Sequence, residues 1–267
     1  MAASSSFCAD TATRLRAWGE RIPSLLRRLA EETLSFIYPP TCAGCGEPIS
    51  PAEPLQFCPS CRGALELVRG LSCPTCGVPL SPEALGPYDC GACLGGVYRF
   101  DRARAAGTYR GLLREVIHRF KYDGHISLAR PLAQLLLPAA SELCTLHEIE
   151  AIFPVPLHPR RLRERGFNQA ALLARRVGAS LKIPVEYTVL KRLRWTEPQI
   201  SLSPRERAEN VRGAFGVTNE EAVRDRTVLL VDDVFTTGET VDQCVRELKR
   251  GGAREVVVLT VARTVGR

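Results

Sequence analysis

Two sets of residues in this chain have the types and spacing that chemistry requires. Eight of the eleven cysteines form four Cys-x-x-Cys units: Cys42/Cys45, Cys58/Cys61, Cys73/Cys76 and Cys90/Cys93. One tight turn of this kind brings two thiolates to a single metal, and a structural zinc site takes four such ligands at about 2.3 Å. The four units therefore supply two zinc sites. Far along the chain, Val228 to Thr240 reads VLLVDDVFTTGET, an apolar run that meets two adjacent carboxylates, Asp232 and Asp233, and then turns small and polar. Carboxylates accept hydrogen bonds from vicinal hydroxyls, and a helix N-terminus offers free N–H groups to an anion. The pattern suits a sugar phosphate, with the acids on the ribose and the following loop on its phosphate.

An internal repeat indicates which cysteine pairs combine. CAGCGEPISPAEPLQFCPSC aligns with CPTCGVPLSPEALGPYDCGAC, with Gly46, Pro48, Ser50 and Pro51 matched by Gly77, Pro79, Ser81 and Pro82. Each repeat reads as one complete ribbon, so consecutive pairing is predicted. The first forty residues carry scattered Arg and Glu in place of the compact apolar block of a signal peptide, and a cytoplasmic protein is the expectation. In a reducing compartment these spacings favour zinc over disulfides, and four repeated pairs differ from the single redox pair at a helix start. Ribbons this short cannot bury a core, so the metal must supply folding energy. Cys8, Cys144 and Cys244 have no partner at ligand spacing and read as core or free thiols.

The elements that position the acids can be read around them. Thr227 to Val231 is a continuous β-branched strand pattern. Glu239 to Arg250 is helical and ends at Gly251-Gly252, and Val256 to Val261 is again a strand. This βαβ unit implies an open parallel sheet, in which ligands bind beyond the carboxyl ends of the strands. Upstream, Phe100 to Thr108 alternates as an early strand, Gly111 to Phe120 is helix-like, and Lys121 follows in a turn with Asp123 and Gly124. Ile152 to Pro156 is a short strand, after which Pro156 and Pro159 stiffen a turn carrying His158, Arg160, Arg161, Arg163 and Arg165. Arginines so close together repel unless an anion or carboxylates sit among them, which points to a pyrophosphate site or else a solvated basic face. Asn168 begins or caps the next helix. Val189 to Phe215 has weak periodicity and contains Arg205, Arg207, Asn210 and Arg212, which suggests a β-excursion or a mobile flap. An amphipathic helix is expected between Leu15 and Ile37.

Composition sets the limits. A hydrophobic content of 45% and a charged content of 24% over 267 residues exclude a disordered chain, and no run reaches the roughly 18–20 apolar residues of a membrane helix. The net charge is +7, yet the only lysines are Lys121, Lys182, Lys191 and Lys249, so the positive charge is almost all guanidinium. Arginine suits anionic, phosphate-bearing partners, although a compositional bias would also spread it over solvated faces. Aromatics are only 6%, which argues against a dedicated single-strand groove, and Trp195 beside Arg194 is the best isolated stacking candidate.

VLLVDDVFTTGET resembles, at all thirteen positions, the phosphoribosyl-diphosphate (PRPP) motif of type I phosphoribosyltransferases. With FKYDGH at 120–125, FPVPLHPRRLRERGFNQA at 153–170 and TEPQISLSPRERAENVRGAF at 196–215, the chain from about Tyr38 onward resembles the ComF family. These are competence-associated proteins that join a zinc ribbon to a phosphoribosyltransferase domain, here in the double-ribbon form. The resemblance implies an N-terminal helix over 1–38, a double zinc ribbon over 39–96 and an α/β, Rossmann-like phosphoribosyltransferase domain over 97–267. It implies PRPP contacts from Asp232, Asp233, Val234, Phe235, Thr236, Thr237, Gly238, Glu239 and Thr240, with Arg160 and Arg161 and, on a closing loop, Arg205 and Arg212. Asp232, Asp233, Lys121 and Arg165 would stand at the reaction centre. The implied cofactors are two structural Zn²⁺ and Mg²⁺ with PRPP, the Mg²⁺ held mostly by the substrate's own oxygens. The implied function is PRPP binding with transfer to an unidentified acceptor, in DNA uptake or nucleotide salvage. Two other readings stand beside it: a non-catalytic factor engaging single-stranded DNA or a DNA-uptake helicase, and a PRPP-sensing regulator.

Overall fold

The computed structural model describes residues 39–81, 88–195 and 213–265. The helix expected within 1–38, and Arg205 and Arg212, lie outside the described residues. In chain order, α1 (Pro59–Gly63) and α2 (Gly91–Leu94) are single turns that start directly after Cys58 and Cys90. They are followed by β1 (Arg102–Thr108), α3 (Gly111–Tyr122), α4 (Ala129–Leu146), β2 (Ala151–Pro154), α5 (Pro159–Arg165) and α6 (Gln169–Leu181). The chain then forms β3 (Leu190–Arg192), β4 (Phe215–Val217), β5 (Thr227–Phe235), α7 (Glu239–Arg250) and β6 (Glu255–Arg263).

The main sheet has the order β1-β6-β5-β2 with every neighbouring pair parallel. β5 and β6 are buried along almost their whole length, because helices cover both faces and leave no side for polar residues. One face packs Leu229, Val231, Val257 and Leu259 against α3, α4 and α6. The other packs Val228, Leu230, Val256 and Val258 against Val241, Cys244, Val245 and Leu248 of α7. Among the described residues, no helix is long and apolar enough to cross a membrane.

The ribbons complete this layering. Cys42, Ala43 and Phe57 of the first ribbon belong to the α3/α4 side of the core, whereas Cys73 and Cys76 of the second belong to the α7 side. The two ribbons thus cover opposite faces of the sheet. Between them, Glu66 to Val68 hydrogen-bonds to the free edge of β1, with Thr108 N donating to Glu66 O at 2.8 Å and Val68 N to Ala106 O at 3.0 Å. The edge strand is therefore closed to pairing with another chain.

Several elements depart from the sequence expectations. β5 does not stop at Val231. Its pairing with β6 continues to Phe235↔Arg263, so both acids stand inside the ladder. A carboxylate interrupts an apolar pattern without interrupting backbone pairing. α4 and the short α5 were not anticipated, and α5 is helical because Pro159 sits at its first turn, where the missing N–H costs nothing. The segment after Val189 is a β-excursion at its base, since β3 and β4 pair antiparallel. Asn168 does cap α6, its side-chain oxygen accepting from Ala171 N at 3.4 Å.

Candidate functional site

The cysteines converge in the predicted consecutive sets. The sulfurs of Cys42, Cys45, Cys58 and Cys61 lie within 4.8 Å of one another, and so do those of Cys73, Cys76, Cys90 and Cys93. A tetrahedron of 2.3 Å zinc–sulfur bonds has edges of about 3.8 Å. The Sγ pairs Cys45–Cys58, Cys76–Cys90 and Cys73–Cys93 stand 3.9, 3.6 and 3.7 Å apart. Backbone N–H groups point at the sulfurs, from Cys58 to Cys42 Sγ at 3.2 Å and from Cys90 to Cys73 Sγ at 3.4 Å. Burial alone would raise the Cys42 thiol, but N–H groups of Cys58, Cys45 and Gly44 bring it down to about 6. Burial and the neighbouring sulfurs push Cys61 up to about 12, so four thiolates cannot coexist there unless a cation offsets their charge. Both sets fit Zn²⁺. Native mass spectrometry is expected to find two zinc ions per chain and one in Cys58→Ser; two ions retained in that variant would contradict the ligand set.

At the carboxyl end of β5, successive residues face opposite sides of the sheet. Asp233 faces α3, where Lys121 in its last turn places Nζ 2.6 Å from Asp233 Oδ1. Asp232 lies on the α7 side and accepts from Asp233 N at 2.8 Å. Burial, and then the carboxylate of Asp233, raise Asp232 to about 7, against the pull of Lys121 and Arg192. Burial would lower the Lys121 ammonium, but Asp233 outweighs it and holds it above the usual lysine range. Asp232 thus stands near its midpoint at neutral pH.

The loop beyond β5 is shaped to receive an anion. Val234 and Phe235 end the strand, Thr236 and Thr237 form the turn, and Gly238 is the left-handed N-cap of α7 at φ +89°. Among the described residues no side chain caps α7, so the N–H groups of its first turn, at Glu239 and Thr240, are left for a ligand. Thr237 Oγ1 is buried with no hydrogen-bond partner among the described residues. Beside Asp233, its partner Lys121 lines an open cavity of about 230 Å³ with Tyr122, Gly124, Arg161, Glu164 and Arg165. The Arg165 guanidinium lies 5.0 Å from the Tyr122 ring centroid. Arg161 and Arg165 are therefore brought together with Lys121. Arg160 is not: it lies over the Trp195 ring at 4.6 Å and pairs with Glu164 at 3.1 Å.

Residues 33–94 match the double zinc ribbon domain, and residues 163–265 match the phosphoribosyl transferase domain. Over 220 residues the chain is 34% identical to competence protein F of Haemophilus influenzae, covering 77% of this chain and 96% of that one. The chain belongs to the ComF family. Other ComF relatives include the DNA utilization protein YhgH of Escherichia coli, 34% identical over 78% of this chain and 91% of that one. Competence protein ComFC of Bacillus subtilis is 28% identical over 78% of this chain and 85% of its own length. A purine phosphoribosyltransferase from Pyrococcus horikoshii superposes on 49% of this ComF chain and 80% of its own at 17% identity, with a TM-score of 0.31. The type I phosphoribosyltransferase fold follows from the strand order and the sequence match, to which that superposition adds no weight. Sequence reasoning passed over Arg99, Arg119 and Arg263 of this ComF protein. Their signal is absent from any motif, since each acts on a carbonyl or carboxylate distant in the chain.

Proposed function

We propose that this protein binds PRPP with Mg²⁺ at the carboxyl end of β5 and transfers its phosphoribosyl group to an acceptor. The observation that carries this reading is the meeting of the Lys121–Asp233 pair, at one sheet edge, with a glycine-started helix that no described side chain caps. The first turn of α7 and Thr237 would take the 5′-phosphate, and the carboxylates of Asp232 and Asp233 the ribose hydroxyls. Lys121, Arg161 and Arg165 would surround the diphosphate and stabilise the negative charge that grows on it as it leaves C1. When bound, Mg²⁺ neutralises diphosphate oxygens, and Asp232 is the oxygen donor of this chain best suited to help hold it.

Calorimetric titration of zinc-loaded protein with PRPP and Mg²⁺ tests the reading. Binding by the wild type that Asp232→Asn/Asp233→Asn loses is the expected result, and a folded wild type that does not bind overturns it. The protonation of Asp232 adds a pH signature of two opposite signs. Below pH 7 Asp232 is largely neutral and a poor acceptor, so affinity is expected to rise through about pH 7 and then level off. Stability moves the other way. The folded chain keeps a proton that the unfolded chain releases near 3.8, so this contribution to stability is lost as pH rises from about 4 to about 7. Asp232→Asn is expected to remove both steps, leaving only the titration of the ligand's own phosphates.

One observation favours a role on single-stranded DNA as a second reading. The Trp195 ring has the Arg160 and Arg161 guanidiniums at 4.6 and 5.8 Å and His158 edge-on at 5.2 Å. An aromatic among cations is the composition of a base-stacking platform. On this reading, DNA affinity falls steeply with salt and drops roughly tenfold in Trp195→Ala. Salt-independent or unchanged binding would remove it.

A further inference from the structure

The segment just beyond the second ribbon, and the ribbon itself by way of Arg263, meet the flanks of the phosphate loop at three points. Just beyond Cys93, Tyr98 stacks on Phe100 with centroids 5.0 Å apart and meets Phe235 edge-on at 5.5 Å. Gly238 lies so close to these rings that a Cβ there would stand 2.8 Å from both Tyr98 Cε1 and Phe235 Cζ. Arg99 donates its backbone N–H to Asp242 Oδ1 at 3.1 Å and its guanidinium to Asp242 Oδ2. From the far side, Arg263 at the end of β6 donates to the carbonyl of Cys76, a cysteine of the second metal set. The same guanidinium lies 5.1 Å from the Phe235 ring centroid.

Asp242 gives these contacts an electrostatic meaning. It stands in the first turn of α7 with Glu239. An acid there is favourable for the helix alone, but it competes with any phosphate for the same positive end. Arg99 neutralises that charge, while Tyr98 and Phe235 pack so closely on Gly238 that no side chain fits at the turn. The sequence that follows the second cysteine set therefore fixes both the charge and the shape of the anion site.

We propose that the second zinc ribbon organises the phosphate loop 236–240 through the positioning residues Tyr98, Arg99 and Arg263, so that sugar-phosphate affinity depends on metal in the second cysteine set. This rests on the PRPP reading for the identity of the ligand. The coupling itself is a property of the ligand-free protein, because every contact named is made within the chain. The first ribbon has a different contact: Arg119 of α3 donates to the carbonyls of Ala43 and Gly44 and does not reach the loop.

The test uses the full zinc-loaded chain and two readouts, amide hydrogen exchange of 236–245 without ligand and calorimetry with PRPP and Mg²⁺. Arg99→Gln is suited to it because the Arg99 side chain is 56% exposed and Asp242 keeps the backbone N–H of residue 99, so the fold is expected to survive, which far-UV circular dichroism checks. Arg99→Gln and Cys90→Ser are expected to speed exchange in the loop about tenfold and to weaken PRPP binding about tenfold, within the usual range of coupling between sites. Arg99→Lys should restore both, and Cys45→Ser in the first ribbon should leave loop exchange unchanged. Unchanged exchange in Arg99→Gln overturns the proposal, and so does equal loosening by Cys45→Ser and Cys90→Ser, which general destabilisation would explain. A wild type that fails to bind PRPP defeats the reading of the ligand, while the exchange data still decide the coupling.

Discussion

Lys121→Met is expected to abolish PRPP–Mg²⁺ binding and to cost about 3–5 kcal/mol of stability, because it strands the Asp233 carboxylate inside the protein. The two side chains are 17% and 11% exposed and meet at 2.6 Å, so water can screen little of the loss. The double variant Lys121→Met/Asp233→Asn carries no stranded charge and is expected to regain most of the stability but none of the binding. Urea denaturation with parallel calorimetry measures both quantities. Separate recovery of stability would identify the pair as a pre-organised charge at the site and not merely a strut. A loss under about 1 kcal/mol for Lys121→Met would instead mark it as an ordinary screened surface pair.

The second large effect is expected at Gly238. Gly238→Ala places a Cβ 2.8 Å from two ring carbons in a residue at φ +89°, where L side chains are strained. A cost of about 1–3 kcal/mol from the backbone alone is expected, and the rings or the loop must also move. PRPP affinity should fall more than tenfold, since a shift of the first turn of α7 misaims its N–H groups. Gly46→Ala supplies the comparison, for Gly46 has a similar φ of +82° but nothing within 4 Å of a built Cβ. If thermal melting shows equal losses in the two variants, the ring contact contributes nothing, and only the backbone conformation matters.

Local pattern made much of this legible from sequence. β1, β5, α7 and β6 follow from apolar periodicity, and the cysteine pairing followed from the repeat, because zinc ligands must be close in the chain to form a knuckle. The acids at the sheet edge were legible for the same reason, being neighbours in sequence and in space. α4 was missed because its apolar residues run nearly continuously around Pro138, a residue that reads as a break although the helix passes through it. The strand end was misjudged because Asp232 and Asp233 look like a terminus to side-chain patterning, while the backbone goes on pairing. Arg99 on Asp242 and Arg263 on Cys76 join segments far apart in the chain, and no local rule predicts such partners.

The strand order has a consequence for how the chain is made. β6 is the last strand in the sequence yet stands between β1 and β5, with Arg102 beside Val257 and Thr227 beside Glu255. During synthesis both cysteine sets emerge long before the sheet can close, and β1 has no strand beside it until residues 255–263 have left the ribosome. Such non-local pairing is slow and leaves apolar strand edges uncovered in the meantime. The nascent polypeptide is thus a pair of metal knuckles tethered to an open half-sheet, and a chain that ends before β6 is expected to leave the edges of β1 and β5 uncovered and to aggregate.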